Sequence, residues 1–368
     1  MIYLDYAANT PVDEEVLKSY DEASTYYIAN PNSSHKLGKM AKDKIDECST
    51  YIANYFNTNK DNVIYTSGAS ESNNLVIKGV CERYKDKGNH IIISSLEHSS
   101  IVAPINYLSE HGFDVSVISV GSDGKINLEE LKNTITDKTI LVSICSVDSE
   151  LGTIQPIQEV RDIVSKYPNC IFHTDATQAI GKIELDYTGI DFITFTAHKF
   201  FGLNGSGALI NVNGKKIVPQ IHGGKSTTIY RSGTPAISNI VSLTKAFELA
   251  TNNLDSRYNY NSKLNKILRD KLSKYNIHIN SPKDSLPNIL NISLIDKDNK
   301  EVVSKLEEND IYVSTTTACS LGNMPSKSVL AITNDEKLAS NTIRISISHL
   351  TKEEDINNFL EVFDKCIK

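Results

Sequence analysis

Short apolar runs rich in β-branched residues recur along the first two thirds of the chain, each about as long as a buried strand. Between several of them, apolar positions repeat with helical period, at 71–87, 128–135 and 157–167. Strand and helix in alternation predict an α/β domain with a mostly parallel central sheet. Such sheets bind ligands at the carboxyl ends of their strands, so a polar residue just after a strand is a candidate site residue. The predicted strands cover 63–65, 90–94, 115–120, 139–145, 170–174, 191–196 and 207–210.

The pattern changes from about residue 250 onward, where the segments predict a smaller α+β domain. A polar, helix-like stretch at 257–274 precedes a strand at 289–294, a helix at 300–307, strands at 311–313 and 343–347, and an amphipathic helix at 353–367. We therefore predict a large domain at 12–254. The small domain would be formed by 1–11 and 255–368.

Composition narrows the class of protein. The chain has 368 residues, of which 40% are hydrophobic and 23% charged, and its net charge of −7 comes from interleaved acids and bases. No basic stretch approaches the size of a nucleic-acid footprint, so no direct nucleic-acid partner is predicted. No apolar run is long enough to span a bilayer, and the first residues lack a signal-peptide core. We therefore expect a cytoplasmic protein without membrane attachment.

The cysteine pattern predicts neither a metal site nor a disulfide framework, because no two cysteines form a CxxC pair. Cys145 and Cys170 lie in strand-like runs, where Cys behaves as a small hydrophobe. Cys319 lies outside such a run and is considered below. The six cysteines are Cys48, Cys81, Cys145, Cys170, Cys319 and Cys366.

The segment 66–72 follows a predicted strand, begins a predicted helix and is rich in small residues. Small residues let a backbone approach a ligand, and the N–H groups of a first helical turn bind anions. A phosphate group would suit this segment. The alternative is an ordinary helix start with Glu71 as a capping-box residue, and the segment alone favours that alternative.

Asp175 ends a predicted apolar strand, and Gln178 lies in the turn after it. A carboxylate there needs a cationic partner, because burying an unpaired charge is very costly. The protonated pyridine nitrogen of pyridoxal 5′-phosphate (PLP) is such a partner, and Gln178 would reach the phenolic oxygen of that cofactor from the following turn. A structural ion pair is an equally good explanation of the segment alone.

Lys199 comes directly after another predicted strand, in the segment 196–202. A lysine among apolar groups binds its proton less tightly and becomes a usable amine nucleophile, as a Schiff base with an aldehyde requires. Thr196 and His198 would supply donors to a phosphate. The alternative is a surface lysine, the usual position of this residue type.

His98 follows the end of a fourth predicted strand. Its ring would stack on a flat cofactor and move protons near neutral pH, although a structural histidine is the simpler interpretation of this residue alone. The four signals are individually weak. Their joint occurrence at strand ends favours a PLP site with Lys199 as the lysine that forms the Schiff base.

These motifs make the sequence similar to the NifS/IscS-type cysteine desulfurases, fold-type I PLP enzymes related to the class-V aminotransferases. The resemblance covers essentially the whole chain and implies their fold, with a mostly parallel sheet in the large domain. The matching segments are 4–8 (LDYAA), 30–35 (beginning with Asn30-Pro31), 66–73, 97–98, 175–178 (DATQ), 198–199, 222–224 (HGG), 231–234 (RSGT), 318–319 and 343–346 (IRIS).

The resemblance assigns the cofactor site. Lys199 would hold PLP and abstract the α-proton of the substrate, Asp175 would pair with the pyridinium, and His98 would stack on the ring. Thr234 would reach the phosphate from a second subunit, which implies a homodimer. The cofactor-binding residues that it implies are Ala69, Ser70, His98, Ser149, Asp175, Gln178, Thr196, His198, Lys199 and Thr234.

The resemblance also assigns the substrate and the reaction. Arg344 would bind the carboxylate of L-cysteine through its planar fork, with Asn30 as a second substrate-binding residue. Cys319, in a loop rich in small and hydroxyl residues, would attack the substrate sulfur and carry it as a persulfide. The catalytic residues would then be Lys199, Cys319 and His98, and the products alanine and enzyme-bound sulfur for a sulfur-acceptor protein.

Three segments depart from the usual family pattern. The family usually reads Asn-Asn-Glu-Ile/Val-Gly where 148–152 reads Asp-Ser-Glu-Leu-Gly, so Ser149 lacks the amide that contacts the cofactor ring region. The segment 225–230 replaces a usual Gly-Gln-Glu continuation, and 315–319 reads Thr-Thr-Thr-Ala-Cys instead of Ser-Gly-Ser-Ala-Cys. We interpret these as changes to rate, substrate choice or partner choice. Unchanged cofactor absorbance and turnover in Ser149→Asn would refute that interpretation.

Two other functions remain open from the sequence. One is a different PLP reaction on a small amino acid, by a selenocysteine lyase or an aminotransferase; an aminotransferase would survive Cys319→Ala. The other is a catalytically weakened PLP-binding homologue that serves as a scaffold or relay. The sulfur acceptor is also open, since iron–sulfur cluster assembly, tRNA thiolation, thiamine synthesis and DNA sulfur modification all use such sulfur.

Overall fold

The structure, a computed structural model, describes residues 1–224, 226–315 and 324–367. In chain order its strands are β1 (Ile2–Tyr3), β2 (Val63–Thr66), β3 (His90–Ser94), β4 (Asp114–Ile118), β5 (Thr139–Ser143), β6 (Ile171–Asp175), β7 (Phe192–Thr196), β8 (Gly207–Asn211), β9 (Ile277–Ile279), β10 (Ile289–Leu294), β11 (Ile311–Tyr312) and β12 (Thr342–Ser346). Its helices are α1 (Glu14–Tyr26), α2 (Lys36–Tyr55), α3 (Ala69–Tyr84), α4 (Ser99–Ser109), α5 (Leu128–Thr134), α6 (Ile157–Val164), α7 (Ile237–Asn252), α8 (Leu254–Leu272), α9 (Asn299–Glu307), α10 (Lys327–Thr333), α11 (Glu336–Ser340) and α12 (Glu353–Ile367).

Seven strands form the central sheet in the order β2-β8-β7-β6-β5-β3-β4. Neighbouring strands are parallel, except that β8 runs antiparallel to both β2 and β7. The predicted mostly parallel sheet is therefore confirmed. The strand predicted at 115–120 ends earlier, at Ile118, because Val120 instead forms a local bridge with Ile126.

Both faces of this sheet are covered, which explains why its strands read as continuous apolar runs. Alternate residues enter opposite cores, as Leu141 and Val142 show: they belong to different clusters and both are fully buried. Helices α3 and α4 contribute to the core on one face, and α2, α6 and α7 contribute to the core on the other. The result is a three-layer arrangement with the sheet between two layers of helices.

A separate core lies around the antiparallel sheet β12-β10-β9. Leucines of α8 and phenylalanines of α12 pack there, and Leu4 from the amino-terminal segment joins them. Strand β1 pairs with β11, so the first residues of the chain lie against the carboxyl-terminal part. The grouping of 1–11 with 255–368 as one domain stays a prediction.

Helices α1 and α2 precede the sheet and are not among the predicted elements. Helix α1 begins where the Asp13 side chain accepts a hydrogen bond from Glu15 N at 2.9 Å, and two glutamates follow in its first turn. It packs against α7. Within the described ranges, no helix is both long and apolar enough to cross a membrane.

Candidate active site

Loops at the carboxyl ends of β2, β3, β5, β6 and β7 surround one cavity of about 400 Å³. This is the edge at which an open α/β sheet binds its ligands, and the volume suits a small organic cofactor. The amino-terminal segment and β12 close the cavity from the other side. Among the residues that line it are Ala7, Gly68, His98, Asp175, Lys199 and Arg344.

Lys199 ends a single 3-10 turn, Ala197–Lys199, directly after β7. Its ammonium group donates hydrogen bonds to the carbonyl oxygens of Ala7 at 2.8 Å and Ala8 at 2.6 Å. Two residues later Phe201 has φ of 69°, in the left-handed region that few residues other than glycine adopt. Its N–H is held by the Thr10 hydroxyl at 2.8 Å. The amino-terminal segment thus fixes both the lysine and the turn that carries it.

Asp175 is the last residue of β6 and is only 6% exposed. One carboxylate oxygen accepts from Asn73 Nδ2 at 2.8 Å, and the other accepts from Thr177 N at 3.0 Å. No ion pair with Lys, Arg or His is formed by Asp175 among the described residues. The structural ion pair that the sequence left open is therefore not formed among the described residues. A buried carboxylate in this position is suited to a cation brought by a ligand.

His98 is the N-cap residue of α4 and lies beside the cavity. Its Nδ1 accepts from Ser100 N at 3.1 Å and lies 2.8 Å from the Ser100 hydroxyl. Because the backbone N–H can only donate, the neutral ring carries its proton on Nε2. Burial lowers the pKa of the ring, with the charge of Lys199 adding and that of Asp175 opposing. The ring is therefore mostly neutral at pH 7 and suited to stacking.

The helix start at α3 forms one end of the cavity. Gly68, the N-cap residue, has no side chain to cap the first turn, and a Cβ on it would lie 3.5 Å from Thr196 Oγ1. Glu71 accepts from Ser67 N at 2.8 Å, as a capping-box residue would, and pairs with Arg231 at 2.9 Å. Glu71 thus acts at the helix start as the capping interpretation expects, and phosphate binding stays a prediction. The glutamate braces the loop, while Gly68 leaves the helix start accessible to an anion.

Thr196 and His198 lie beside this helix start. Their side chains contact each other at 3.1 Å, from Oγ1 to Nδ1, and the threonine hydroxyl also donates to Ser206 O at 3.0 Å. Burial lowers the pKa of His198 to about 4, and the charges of Lys199 and Lys182 add to this effect. The negative charge of a phosphate bound here would act in the opposite direction and raise the pKa of His198. Ala69 and Ser70 line the same end of the cavity.

Gln178 is buried at the cavity wall, but its amide is already engaged. Its Nε2 donates to Ala7 O at 2.9 Å, and its Oε1 accepts from Lys182 Nζ at 2.6 Å. The structure therefore places Gln178 at the cavity wall, and its role toward a cofactor stays a prediction. It also adds a partner, Lys182, that the sequence did not indicate.

Arg344 lies on β12, is 1% exposed and reaches the cavity. Its Nη2 pairs with Asp5 at 2.8 Å, and its Nη1 donates to the backbone carbonyl of Ser149 at 3.0 Å. Its buried Nε has no hydrogen-bond partner within the described ranges. The backbone carbonyl of Ser149 thus orients the guanidinium of Arg344. This contact does not depend on the side-chain amide that the family usually has at this position.

Two predicted site residues among those the structure describes do not line the cavity. Asn30 and Thr234 are exposed and do not line it, and the Asn30 amide oxygen accepts from Asn32 N at 2.9 Å. Cys319 lies outside the described residues, as does the Lys225 departure. Their assigned roles stay predictions.

Sequence reasoning gave no role to several polar residues around the cavity. Asn73 is fully buried on α3 and joins Asp175 to Ser100, which it reaches at 2.9 Å, and so links the carboxylate to His98. Its position in the matching segment 66–73 was the one available signal. The other residues without a predicted role are Asp5, Glu97, Cys145 and Lys182.

The comparisons with known proteins agree with this geometry. A model of the family described as "Aminotransferase class-V" matches residues 2–359, so the chain belongs to the class-V aminotransferases. Within that family it is a member of the IscS/NifS-type cysteine desulfurases, as the sequence predicts.

Three similar proteins illustrate the relationship. A protein of Dictyoglomus turgidum named "Cysteine desulfurase IscS" is 35% identical over 373 residues, covering 100% of this chain and 94% of the relative. A solved "NIFS-LIKE PROTEIN" is 33% identical with a TM-score of 0.93, covering 99% of this chain and 98% of the other. A structure described as "SspA in complex with cysteine" is 31% identical with a TM-score of 0.83, covering 94% and 99% of the two chains.

Proposed function

We propose that this protein is a PLP-dependent cysteine desulfurase that converts L-cysteine to L-alanine and holds the sulfur as a persulfide on Cys319. The observation that carries the proposal is the meeting of three groups at one cavity. These are an amine at Lys199, a buried carboxylate at Asp175 that has no cationic side-chain partner among the described residues, and the guanidinium of Arg344. Each of the three has a counterpart in PLP or in the substrate carboxylate.

The residues present fit PLP. Lys199 would attach the cofactor, Asp175 would pair with its ring nitrogen, and the neutral His98 would stack on the ring. The uncapped start of α3 is suited to a phosphate, which Ala69, Ser70, Thr196 and His198 would surround. When bound, the cofactor supplies an electron sink that stabilises negative charge at the α-carbon of an amino acid.

The residues of the chain account for substrate binding and proton transfer. Arg344 is preorganised by Asp5 and by the Ser149 carbonyl, so its fork would bind the substrate carboxylate without a further loss of side-chain entropy. The Lys199 amine lies in the same cavity and would move the α-proton.

The net reaction balances without a further reactant. The thiol of Cys319 and L-cysteine give L-alanine and a persulfide, as the carbon–sulfur bond of the substrate breaks and a sulfur–sulfur bond forms. The proton of the thiol replaces sulfur on the substrate skeleton. A sulfur-acceptor protein, such as an iron–sulfur scaffold or a thiolation enzyme, would then receive the sulfane sulfur. The family resemblance further implies a cytoplasmic location.

A homodimer forms part of the same proposal. Apolar side chains are exposed at Ile28 (74%), Ile229 (68%) and Tyr26 (63%), in segments close in sequence to Asn30 and Thr234. Burial of such side chains in a second copy of the chain would stabilise the association. The same interface would bring Thr234 to the phosphate end of the partner's cavity.

Release of alanine and sulfide from L-cysteine tests the proposal. The PLP-loaded protein with a thiol reductant should release both in equal amounts, and Cys319→Ala should release neither above background. Cys366→Ala is the matched control, because Cys366 is buried in α12 and does not line the cavity.

The other outcomes identify the alternatives. Activity on an amino acid that survives Cys319→Ala would indicate an aminotransferase, and strong preference for selenocysteine would indicate a lyase for that substrate. Stoichiometric PLP without turnover would indicate a weakened homologue. Each of these results would contradict the proposed desulfurase.

A further inference from the structure

A second lysine, Lys182, contacts the Gln178 side chain that lines the main cavity. Lys182 is four residues after Gln178 in the turn region that follows β6, and its Nζ donates to Gln178 Oε1 at 2.6 Å. The residue is partly buried and lines a small cavity together with Lys199. Burial lowers the pKa of its ammonium group well below the ordinary value, and the charges of Lys199 and Arg344 add to that effect.

The Gln178 amide is held at both ends. Ala7 O can only accept, and it takes a hydrogen bond from Gln178 Nε2 at 2.9 Å as well as one from Lys199 Nζ at 2.8 Å. Lys182 donates to the opposite end of the same amide. Rotating the amide by 180° would place Nε2 against the ammonium and Oε1 against a carbonyl, so both contacts would be lost.

This arrangement has a consequence at the cavity wall. An amide nitrogen carries two N–H groups, and Gln178 uses one of them for Ala7. The other has no acceptor among the described residues, on a side chain that lines the main cavity. The fixed orientation therefore presents a donor to the cavity, never an acceptor. An anionic oxygen on a ring bound there is the group that such a donor stabilises.

We infer that Lys182 is a positioning residue that acts through Gln178, holding the amide so that its free N–H meets the phenolic oxygen of the bound cofactor. The inference rests on the proposed cofactor site. It assigns to Lys182 a role in cofactor binding and cofactor electronics rather than in packing alone.

The role predicts how the bound cofactor titrates. A donor at the phenolic oxygen stabilises its negative charge most when the neighbouring imine nitrogen has lost its proton, so the donor lowers the pKa of the chromophore. Lys182→Met keeps an unbranched stem of nearly the same length but removes the terminal donor. We expect this variant to raise the chromophore pKa by about one unit and to weaken PLP binding roughly tenfold, as loss of one buried hydrogen bond implies.

The test is a pair of measurements on four proteins reconstituted with PLP: wild type, Lys182→Met, Gln178→Met and the double variant. PLP affinity is measured by titrating the cofactor-free protein, and the chromophore pKa by absorbance against pH. Lys182→Gln, which keeps a donor without the charge, serves as the conservative variant. Circular dichroism and thermal unfolding without PLP identify any variant that fails to fold.

The proposal predicts that Lys182→Met changes both quantities when Gln178 is present and has no effect when position 178 is Met. Lys182→Gln should restore most of the wild-type behaviour. Equal effects in both backgrounds would overturn the proposal, because the charge would then act directly on the cofactor. No effect in either background would also overturn it, leaving Lys182 a packing residue.

PLP uptake and desulfurase activity of the wild-type protein distinguish failure of the proposed function from failure of this proposal. A wild-type protein that takes up no PLP would overturn the cofactor site, and the role of Lys182 with it. A protein that binds PLP normally but has no desulfurase activity would leave the positioning test unaffected, because neither measurement depends on turnover.

Discussion

The pKa of the buried Glu97 carboxyl, close to the site, can be tested through the pH dependence of stability. The residue is 7% exposed, and its Oε1 accepts from the Ser94 hydroxyl at 2.6 Å and from Cys145 N at 2.9 Å. Its Oε2 is buried without a partner in the described part of the chain. Burial raises the pKa of this carboxyl from 4.5 to about 8, and the nearby charges of Asp175 and Asp148 add to the rise despite the two hydrogen bonds.

The sign of the effect on stability follows from proton binding. The native state keeps a proton on Glu97 that the unfolded chain releases above pH 4.5, so the free energy of unfolding decreases as the pH rises from 4.5 through 8. Between pH 5 and pH 7.5 this residue accounts for a loss of about 3 kcal/mol. Glu97→Gln has nearly the same shape and cannot ionise, so it should not suffer that loss.

Urea unfolding of the cofactor-free proteins at pH 5 and pH 7.5 measures the difference. We expect Glu97→Gln to gain about 3 kcal/mol relative to wild type when the pH is raised from 5 to 7.5. Glu82→Gln is the control, because Glu82 is exposed on α3 and should change little. Parallel pH profiles for wild type and Glu97→Gln would refute the claim that Glu97 is protonated in the native state.

Three further predictions concern the site and its supports. Asn73→Ala removes a donor from Asp175 at 2.8 Å, and PLP titration should show affinity reduced roughly tenfold. Arg344→Lys loses the planar fork, so steady-state kinetics should show kcat/KM for L-cysteine falling at least about tenfold with PLP affinity unchanged. Gly38→Ala would place a Cβ 2.3 Å from Ser33 O, and thermal unfolding should reveal a destabilisation of about 2 kcal/mol.

The sequence predicts the parts of the site that lie at strand ends. Asp175 and Lys199 follow apolar runs, and the parallel sheet brings those ends to one edge whatever the loops do. The pattern of strands therefore indicates which residues lie together at the carboxyl edge of the sheet. It does not indicate how each is oriented, because that depends on contacts made across the chain.

Those long-range contacts explain what the sequence could not predict. Asp5 and Arg344 pair although 339 positions separate them, and the pairing depends on the return of the amino-terminal segment to β12. Asn73 resembles any buried helix residue until α3 is placed against Asp175. From the sequence, Lys182 resembles an ordinary surface lysine in a turn. Only the folded chain shows that its Nζ donates a hydrogen bond to the Gln178 amide oxygen.

Two lysines, Lys182 and Lys199, lie close to the proposed cofactor site, so the most direct test asks which of them holds PLP. The PLP-loaded protein would be reduced with borohydride, digested and mapped by mass spectrometry. The account predicts one phosphopyridoxyl group per chain, on the peptide that contains Lys199, and none after Lys199→Ala. Labelling at Lys182, or an unlabelled wild-type protein, would contradict it.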